Sequence, residues 1–198
     1  MSFIKKLQNK LELSPMTYVT QKIELPIYSF NVKNLIDSDD IKNKCLSLKT
    51  NDLGNQRIVK NGWQSPYYPY NSKEFNLFNN LINVIEDKAN SITNFQKKLF
   101  VSEIWFVLYG AETSHTIHNH VDLADKSRYI LSGVYYPTAS KFAAPLIFCD
   151  KDESSEETKI SISQNDLLLF SSSLYHYVPK DIDKNLRIAT SFNLEQSK

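Results

Sequence analysis

Residues 166–193 read DLLLFSSSLYHYVPKDIDKNLRIATSFN, and this stretch decides the fold class of the chain. Two apolar runs, DLLLFSS and RIATSFN, flank a short third run, YHYVP, and turn-forming residues lie between them. Short runs rich in β-branched and aromatic residues, bounded by Pro, Asp, Asn and Ser, are typical of strands in an antiparallel sheet. The stretch therefore predicts three consecutive short strands.

The same pattern extends back to residue 98. Turn formers separate the β-rich runs LFVSEIWFVLY, HTIHNHV, RYILSGVYYP, PLIFC and TKISIS. About eight short strands at roughly even spacing predict a sandwich or a barrel and argue against a parallel sheet.

The first half of the chain has a different pattern of residue types. Residues 18–30 mix β-branched and aromatic residues with a proline, which predicts an edge strand or two short strands, and residues 37–48 suggest a helix. Asn71 with Glu74 forms a plausible capping box for one long amphipathic helix. Its apolar positions recur at steps of three and four and comprise Phe75, Phe78, Ile82, Ile85, Ala89 and Ile92.

These patterns together predict a mainly β protein with flanking helices, an α+β arrangement in a single domain over residues 1–198. Residues 1–97 would form an N-terminal helical and extended region, with the long helix packed on the sheet. Residues 98–195 would form the β core.

Bulk composition narrows the function classes. Lys and Arg total 23 against 22 Asp and Glu, so a basic nucleic-acid surface is not expected. No segment approaches the ~20 apolar residues that cross a bilayer, so no membrane association is expected. Cys45 and Cys149 stand in isolation, which favours a reducing, cytoplasmic compartment. The sequence does not indicate an oligomeric state.

The four histidines all lie in the β-rich half, at positions 115, 118, 120 and 176. On an extended strand His118, His120 and Asp122 point to one face, because side chains alternate with period two. Two imidazoles and one carboxylate with open positions are typical of non-haem Fe(II) oxygenases. His120, Asp122 and His176 are the predicted metal ligands and catalytic centre, with His118 open as an alternative ligand. His115 is expected to be exposed and without a role.

The run RIATSFN offers a site for an anion. Arg187 can hold a carboxylate through two parallel hydrogen bonds, and Ser191 has the same strand parity, so both are candidate contacts for a dicarboxylate. Tyr109 and Tyr135 are aromatics of predicted strands, and either hydroxyl is a candidate partner for such a carboxylate, because a buried phenol needs a partner.

The sequence resembles the Fe(II)/2-oxoglutarate-dependent oxygenases, in particular small members common in marine bacteria and phages. The resemblance covers about residues 60–193 and rests on NGWQS, HNHVD, SGVYY, DLLLFSSSLYHYV and RIATSFN. It implies a double-stranded β-helix, a jelly-roll or cupin-like barrel, with Fe(II) as cofactor and 2-oxoglutarate as co-substrate. By the same resemblance His120, Asp122 and His176 hold the metal and Arg187 grips the far carboxylate. Many relatives carry His-x-His-Pro without the later Asp, which keeps His118 open as a ligand.

The resemblance also implies a reaction. Such an enzyme uses dioxygen to convert 2-oxoglutarate to succinate and CO2 while it hydroxylates a C–H bond of a small metabolite or of an amino-acid or peptide side chain. Trp63, His118 and Arg128 are the candidate substrate contacts, Trp63 because it lies in an aromatic loop. Two alternatives stay open: a cupin-like metalloenzyme that does not use 2-oxoglutarate, and a non-catalytic ligand-binding barrel.

Overall fold

The computed structural model describes residues 16–18, 26–50, 54, 59–92, 97–150 and 157–197. The strands within these ranges are β1 Met16–Tyr18, β2 Ile27–Asn31, β3 Val59–Lys60, β4 Trp63–Gln64, β5 Tyr68–Pro69, β6 Leu99–Tyr109, β7 Ser114–His118, β8 Leu131–Thr138, β9 Leu146–Cys149, β10 Thr158–Ile160, β11 Asp166–Ser171, β12 Tyr175–Val178 and β13 Arg187–Gln196. The helices are α1 Ser38–Thr50, α2 Lys73–Asn76 and α3 Asn79–Ile92.

The strands form two antiparallel sheets. The larger sheet has eight strands in the order β1-β2-β11-β8-β13-β6-β4, and β5 also pairs with β6. The smaller sheet has five strands in the order β10-β9-β12-β7-β3. The prediction of a mainly β chain with flanking helices is confirmed, and the two antiparallel sheets are consistent with a jelly-roll sandwich.

Alternation along β6 divides the apolar side chains between two cores. Ile104, Phe106 and Leu108 pack toward the helices, in a core that α1, α2 and α3 share with the larger sheet. Trp105 and Tyr109 pack on the opposite face, between the two sheets. The period-two geometry of a strand produces this division, and the candidate site lies on the inter-sheet side.

The predicted long helix is split into two. Asn71 has a left-handed φ of 69°, and Ser72 is the N-cap of α2, accepting a hydrogen bond from the Phe75 backbone N–H at 3.1 Å. The prediction of an Asn71 cap is therefore wrong. Phe78 donates its backbone N–H to Phe75 O, a tight turn that separates α2 from α3.

The apolar face of the helical segment was predicted correctly. Of the six predicted positions, Phe75, Phe78, Ile82, Ile85 and Ala89 are buried, and Ile92 is partly buried against the same core. No helix in the described ranges is long and apolar enough to cross a membrane.

Gly133 in β8 generates a prediction about stability. A Cβ at this position would lie 2.4 Å from Leu168 O and 2.5 Å from Phe192 Cζ, whereas a Cβ at Gly110 would meet nothing within 4 Å. Gly133→Ala should lower the free energy of unfolding by about 1–3 kcal/mol or more, because the backbone oxygen cannot move without breaking the sheet. Gly110→Ala is the control and should stay within about 0.5 kcal/mol. Equal denaturant midpoints for the two variants would contradict this packing.

Candidate metal centre

Three imidazoles meet between the sheets. His118 is the last residue of β7, and its Cα lies opposite that of His176 in β12. His120 follows two residues later and is held by a 2.9 Å hydrogen bond from its backbone N–H to Ser172 O. One nitrogen of each ring lies within 4.8 Å of the others. At this spacing the three nitrogens could hold one metal ion together.

Each of the three rings is oriented by a hydrogen bond at Nδ1. The acceptors are carbonyl oxygens, so Nδ1 carries the proton and Nε2 keeps its lone pair. The bonds run from His118 to Thr116 O (2.8 Å), from His176 to Leu174 O (3.1 Å) and from His120 to Asn193 Oδ1 (2.9 Å).

The rings are also held neutral. Burial is the main cause that lowers the pKa of His120 to about 3, and burial likewise lowers the pKa of His118. The pKa of His176 lies well below its usual value, for the same reason and because the other two imidazoles are close. Three neutral imidazoles with free Nε2 lone pairs form a donor set that suits Fe, Zn, Ni or Cu.

A polar network behind His120 was not predicted from the sequence. Asn193 Oδ1 accepts from His120 and from Ser132 Oγ (2.7 Å), while Asn193 Nδ2 donates to Glu103 Oε1 (2.7 Å). Ser132 Oγ also contacts Ser172 Oγ at 2.8 Å. A signal for Asn193 does exist in the sequence, because it has the same strand parity as Arg187.

Asp122 lies outside this cluster. β7 ends at His118, so the extended strand assumed for residues 118–122 is wrong and the alternation argument does not reach Asp122. Its carboxylate accepts from the backbone N–H groups of Ala124 (2.8 Å) and Asp125 (3.3 Å) and from Arg128 Nη1 (3.0 Å). These bonds, that of Ala124 first, lower the pKa of Asp122. The structure brings His118, and not Asp122, to His120 and His176.

Arg187 lies in a small inner cavity beside the three rings. The cavity has a volume of about 30 Å³, and Arg187, Ala189, Ser191 and Tyr109 line it together with all four histidines. Arg187 and Ser191 thus lie on one face, as their shared parity predicts, and Ala189 lies between them on that face. Among the predicted co-substrate contacts, Tyr109, Arg187 and Ser191 reach this cavity.

The Arg187 guanidinium is held on several sides. Its Nη1 donates to Ala144 O (2.8 Å), its Nη2 donates to Tyr136 Oη (3.4 Å), and Asp181 Oδ2 lies 3.9 Å from Nη1. The ring of Tyr109 faces the guanidinium at 4.4 Å. Arg187 is 1% exposed, and its Nε has no partner among the residues that the structure describes.

Tyr135 faces the opposite way from its predicted role. Its hydroxyl donates to Asn165 Oδ1 at 3.2 Å, and its ring belongs to the helix-side core. Neighbouring residues on a strand point to opposite faces, so Tyr136 is the residue that reaches Arg187. The prediction from SGVYY selected Tyr135, whereas Tyr136 is the tyrosine that faces Arg187.

A larger, outer cavity of about 380 Å³ shares Trp105, His118 and His120 with the inner one. Its lining residues are Tyr67, Glu103, Trp105, His118, Asn119, His120, Val121, Asp122, Tyr129 and Asn193. Trp63, the predicted substrate contact, is buried in the helix-side core, whereas Tyr67 of the same loop lines this cavity. Arg128 does not line it, because its guanidinium bonds to Asp122 and to Glu195 (2.7 Å).

His115 was expected to be exposed, but it is 7% exposed. It lies inside β7, where its Nδ1 is 3.0 Å from the hydroxyl of Tyr109 and its ring stacks on His118 at 4.4 Å. Its strand position directs the side chain into the inner cavity. β7 begins at Ser114, so His115 lies within the strand and not at its exposed entry.

Comparison with known proteins identifies the fold. No protein-family model matches the chain, and no curated protein is similar to it in sequence. A 2OG-Fe(II) oxygenase-family oxidoreductase from Burkholderia pseudomallei superposes with a TM-score of 0.66 at 10% identity, over 85% of this chain and 84% of that one. The chain has the fold of the 2-oxoglutarate- and iron-dependent oxygenases.

Two further structures support this likeness. A Trichoplax adhaerens prolyl hydroxylase, solved with a peptide fragment of the hypoxia inducible factor oxygen degradation domain, gives a TM-score of 0.67 at 13% identity over 98% and 94% of the chains. HygX from Streptomyces hygroscopicus, solved with nickel and 2-oxoglutarate bound, gives 0.60 at 14% identity over 85% and 82%. At such identities the likeness establishes the fold alone.

The hydrogen bond between His120 and Asn193 predicts an effect of Asn193 on metal affinity. Asn193→Leu removes the acceptor of the His120 Nδ1 proton and frees the ring to turn, so Fe(II) affinity should fall by about 10–100-fold. Asn83→Leu, on the exposed side of α3, is the control and should bind Fe(II) like the parent chain. Anaerobic Fe(II) titration, with circular dichroism to verify folding, measures the difference. An unchanged affinity in a folded Asn193→Leu variant would refute the orienting role.

Proposed function

We propose that this protein is a non-haem Fe(II)- and 2-oxoglutarate-dependent oxygenase that hydroxylates a C–H bond. The observation that carries the proposal is a cluster of three neutral imidazoles, of which His176 is buried and His118 and His120 are partly buried, that borders two cavities. The inner cavity contains a buried arginine, and the outer one has the size of a small-molecule site. One side would hold the co-substrate and the other the substrate.

The proposed ligands are His118, His120 and His176, in place of the predicted set of His120, Asp122 and His176. Their free Nε2 lone pairs and fixed rings support this choice, while the Asp122 carboxylate is already engaged by Arg128 and two backbone N–H groups. Three facial ligands would leave the remaining positions of an octahedral ion open for a chelating co-substrate and dioxygen.

Arg187 is the proposed partner of the far carboxylate of 2-oxoglutarate. Its buried Nε has no partner among the described residues, which is the state expected of a donor that awaits an anion. Ser191 and Tyr109 line the same cavity. A space of about 30 Å³ holds only about two waters, so the lining must move outward to admit a diacid with about ten non-hydrogen atoms. The similarly folded HygX has 2-oxoglutarate bound, which supports this assignment.

The bound iron would supply the redox chemistry that couples decarboxylation of 2-oxoglutarate to oxidation of the substrate. The chain itself orients the three rings, holds the diacid and shields the inner cavity from water behind Trp105, Phe170 and Val178.

The outer cavity favours a neutral or cationic substrate over an anionic one. Glu103 and Asp122 line it, the latter paired with Arg128, and no lysine or arginine lines it among the described residues. The rings of Tyr67 and Trp105, 4.8 Å apart, offer an apolar wall. A small metabolite or an amino-acid or peptide side chain fits this lining, and the similarly folded Trichoplax enzyme has a peptide bound.

A second candidate is a metalloenzyme of the same fold that does not use 2-oxoglutarate. Two observations favour it: a three-histidine set also serves catalytic zinc, and the inner cavity is small.

Succinate formation separates the two candidates. Anaerobically purified protein with Fe(II), 2-oxoglutarate and air should release succinate slowly even without its substrate. Arg187→Lys keeps the charge but loses the planar fork, so the 2-oxoglutarate Kd should rise at least about tenfold while Fe(II) affinity stays unchanged. Arg128→Lys, outside both cavities, is the matched control. Intact Fe(II) binding with neither 2-oxoglutarate binding nor succinate would exclude the oxygenase function and favour the second candidate.

Ligand identity is tested by two single substitutions. His118→Ala should weaken Fe(II) binding by about 100-fold or more, because it removes one of three ligands, whereas Asp122→Ala should change it by less than about threefold. Asp125→Ala, in the same turn, controls for loop disturbance. The reverse order of the two effects would restore His120, Asp122 and His176 as the ligand set.

A further inference from the structure

His115 carries a buried hydrogen-bonding atom that nothing described above uses. The side chain is more than nine-tenths buried and lines the inner cavity. Its Nδ1 lies 3.0 Å from the Tyr109 hydroxyl, while its Nε2 is fully buried and has no partner among the described residues. A buried polar atom without a hydrogen-bond partner is destabilising, so it calls for a ligand.

The hydrogen-bond inventory determines which nitrogen bears the proton. Tyr109 is buried, and desolvation raises its pKa, so its phenol keeps its hydrogen. If that hydrogen goes to His115 Nδ1, a single atom is left unsatisfied, the Nε2–H donor. The opposite tautomer would leave two, the phenol hydrogen and the Nε2 lone pair. The arrangement with fewer buried losses makes Nε2 a donor.

A second unpaired donor lines the same cavity. Arg187 Nε–H also lacks a partner within the described part of the chain. Tyr109 links the two residues, because its hydroxyl bonds to His115 while its ring faces the Arg187 guanidinium at 4.4 Å. Two neighbouring donors without acceptors fit a ligand that only accepts, and a carboxylate is such a group.

We propose that His115 is a co-substrate-binding residue whose Nε2–H donates to the carboxylate that Arg187 holds, with Tyr109 fixing the tautomer. This inference rests on the proposed function. It adds His115 to the anion site of Arg187, Ser191 and Tyr109, and it ties that site to the metal centre because the His115 ring stacks on His118.

The test compares two keto acids on Ni(II)-loaded protein by titration calorimetry. 2-Oxoglutarate has the distal carboxylate, and 2-oxopentanoate has a methyl group in its place. His115→Phe keeps a flat ring but loses the donor, so the 2-oxoglutarate Kd should rise about 10–100-fold while the 2-oxopentanoate Kd changes less than about twofold. His115→Gln, whose amide can both accept from Tyr109 and donate, should restore most of the affinity.

Each other outcome is decisive. Equal loss for both keto acids would mean that His115 has only a structural role, and no loss for either would remove it from the site; both results overturn the inference and leave the proposed function intact. If the parent chain binds Ni(II) but not 2-oxoglutarate, the proposed function fails, and this inference fails with it.

Discussion

The pairing of His118 with His176 across β7 and β12 is the constraint on which the candidate site depends. It fixes two imidazoles by backbone geometry alone, since each ring donates from Nδ1 to a carbonyl two residues earlier in its own chain. His120 lies beyond the end of β7 and has no such strand partner. Its orientation depends on Asn193, which lies in the opposite sheet. The cluster is therefore assembled across the sandwich, and its geometry depends on how the two sheets pack.

β13 supplies the opposite side of the site. Arg187, Ala189 and Ser191 alternate toward the inner cavity, and Asn193 continues the same face as far as His120. One strand thus carries both Arg187 and the residue that orients the His120 ring, Asn193. The distance between them is fixed by the rise of about 3.4 Å per residue in an antiparallel strand. The length of a co-substrate that spanned the site would have to match this distance along β13.

Local periodicity explains which features the sequence could predict. The apolar face of α3 and the shared face of Arg187, Ala189 and Ser191 follow from spacing within one element. The sequence-based predictions are wrong where tertiary contacts determine the local structure. The end of β7 at His118 follows from its partner strand, and Trp63 packs into the core that the helices close. A local sequence pattern does not determine where a strand ends or which core a loop residue joins.

Parity within a single strand shows the same limit. SGVYY predicts a strand with two adjacent tyrosines, and one of them must face the site, but nothing local says which one. The choice follows from the register with β11 and β13, which places Tyr135 on the helix side and Tyr136 beside Arg187. His115 illustrates the converse case, a residue whose burial depends on Tyr109 of the preceding strand.

Charge balance gives an independent reason to prefer three histidines. Arg187 and Asp181 are 1% and 2% exposed and form an ion pair at 3.9 Å, so their charges cancel inside the fold. A divalent metal on three neutral imidazoles would then be balanced by the two carboxylates of the co-substrate. Asp122 already has Arg128 as its partner at 3.0 Å, so moving it to the metal would break that ion pair. In this balance Asp181, which lies beside Arg187, supplies the negative charge that a carboxylate ligand on the metal would otherwise supply.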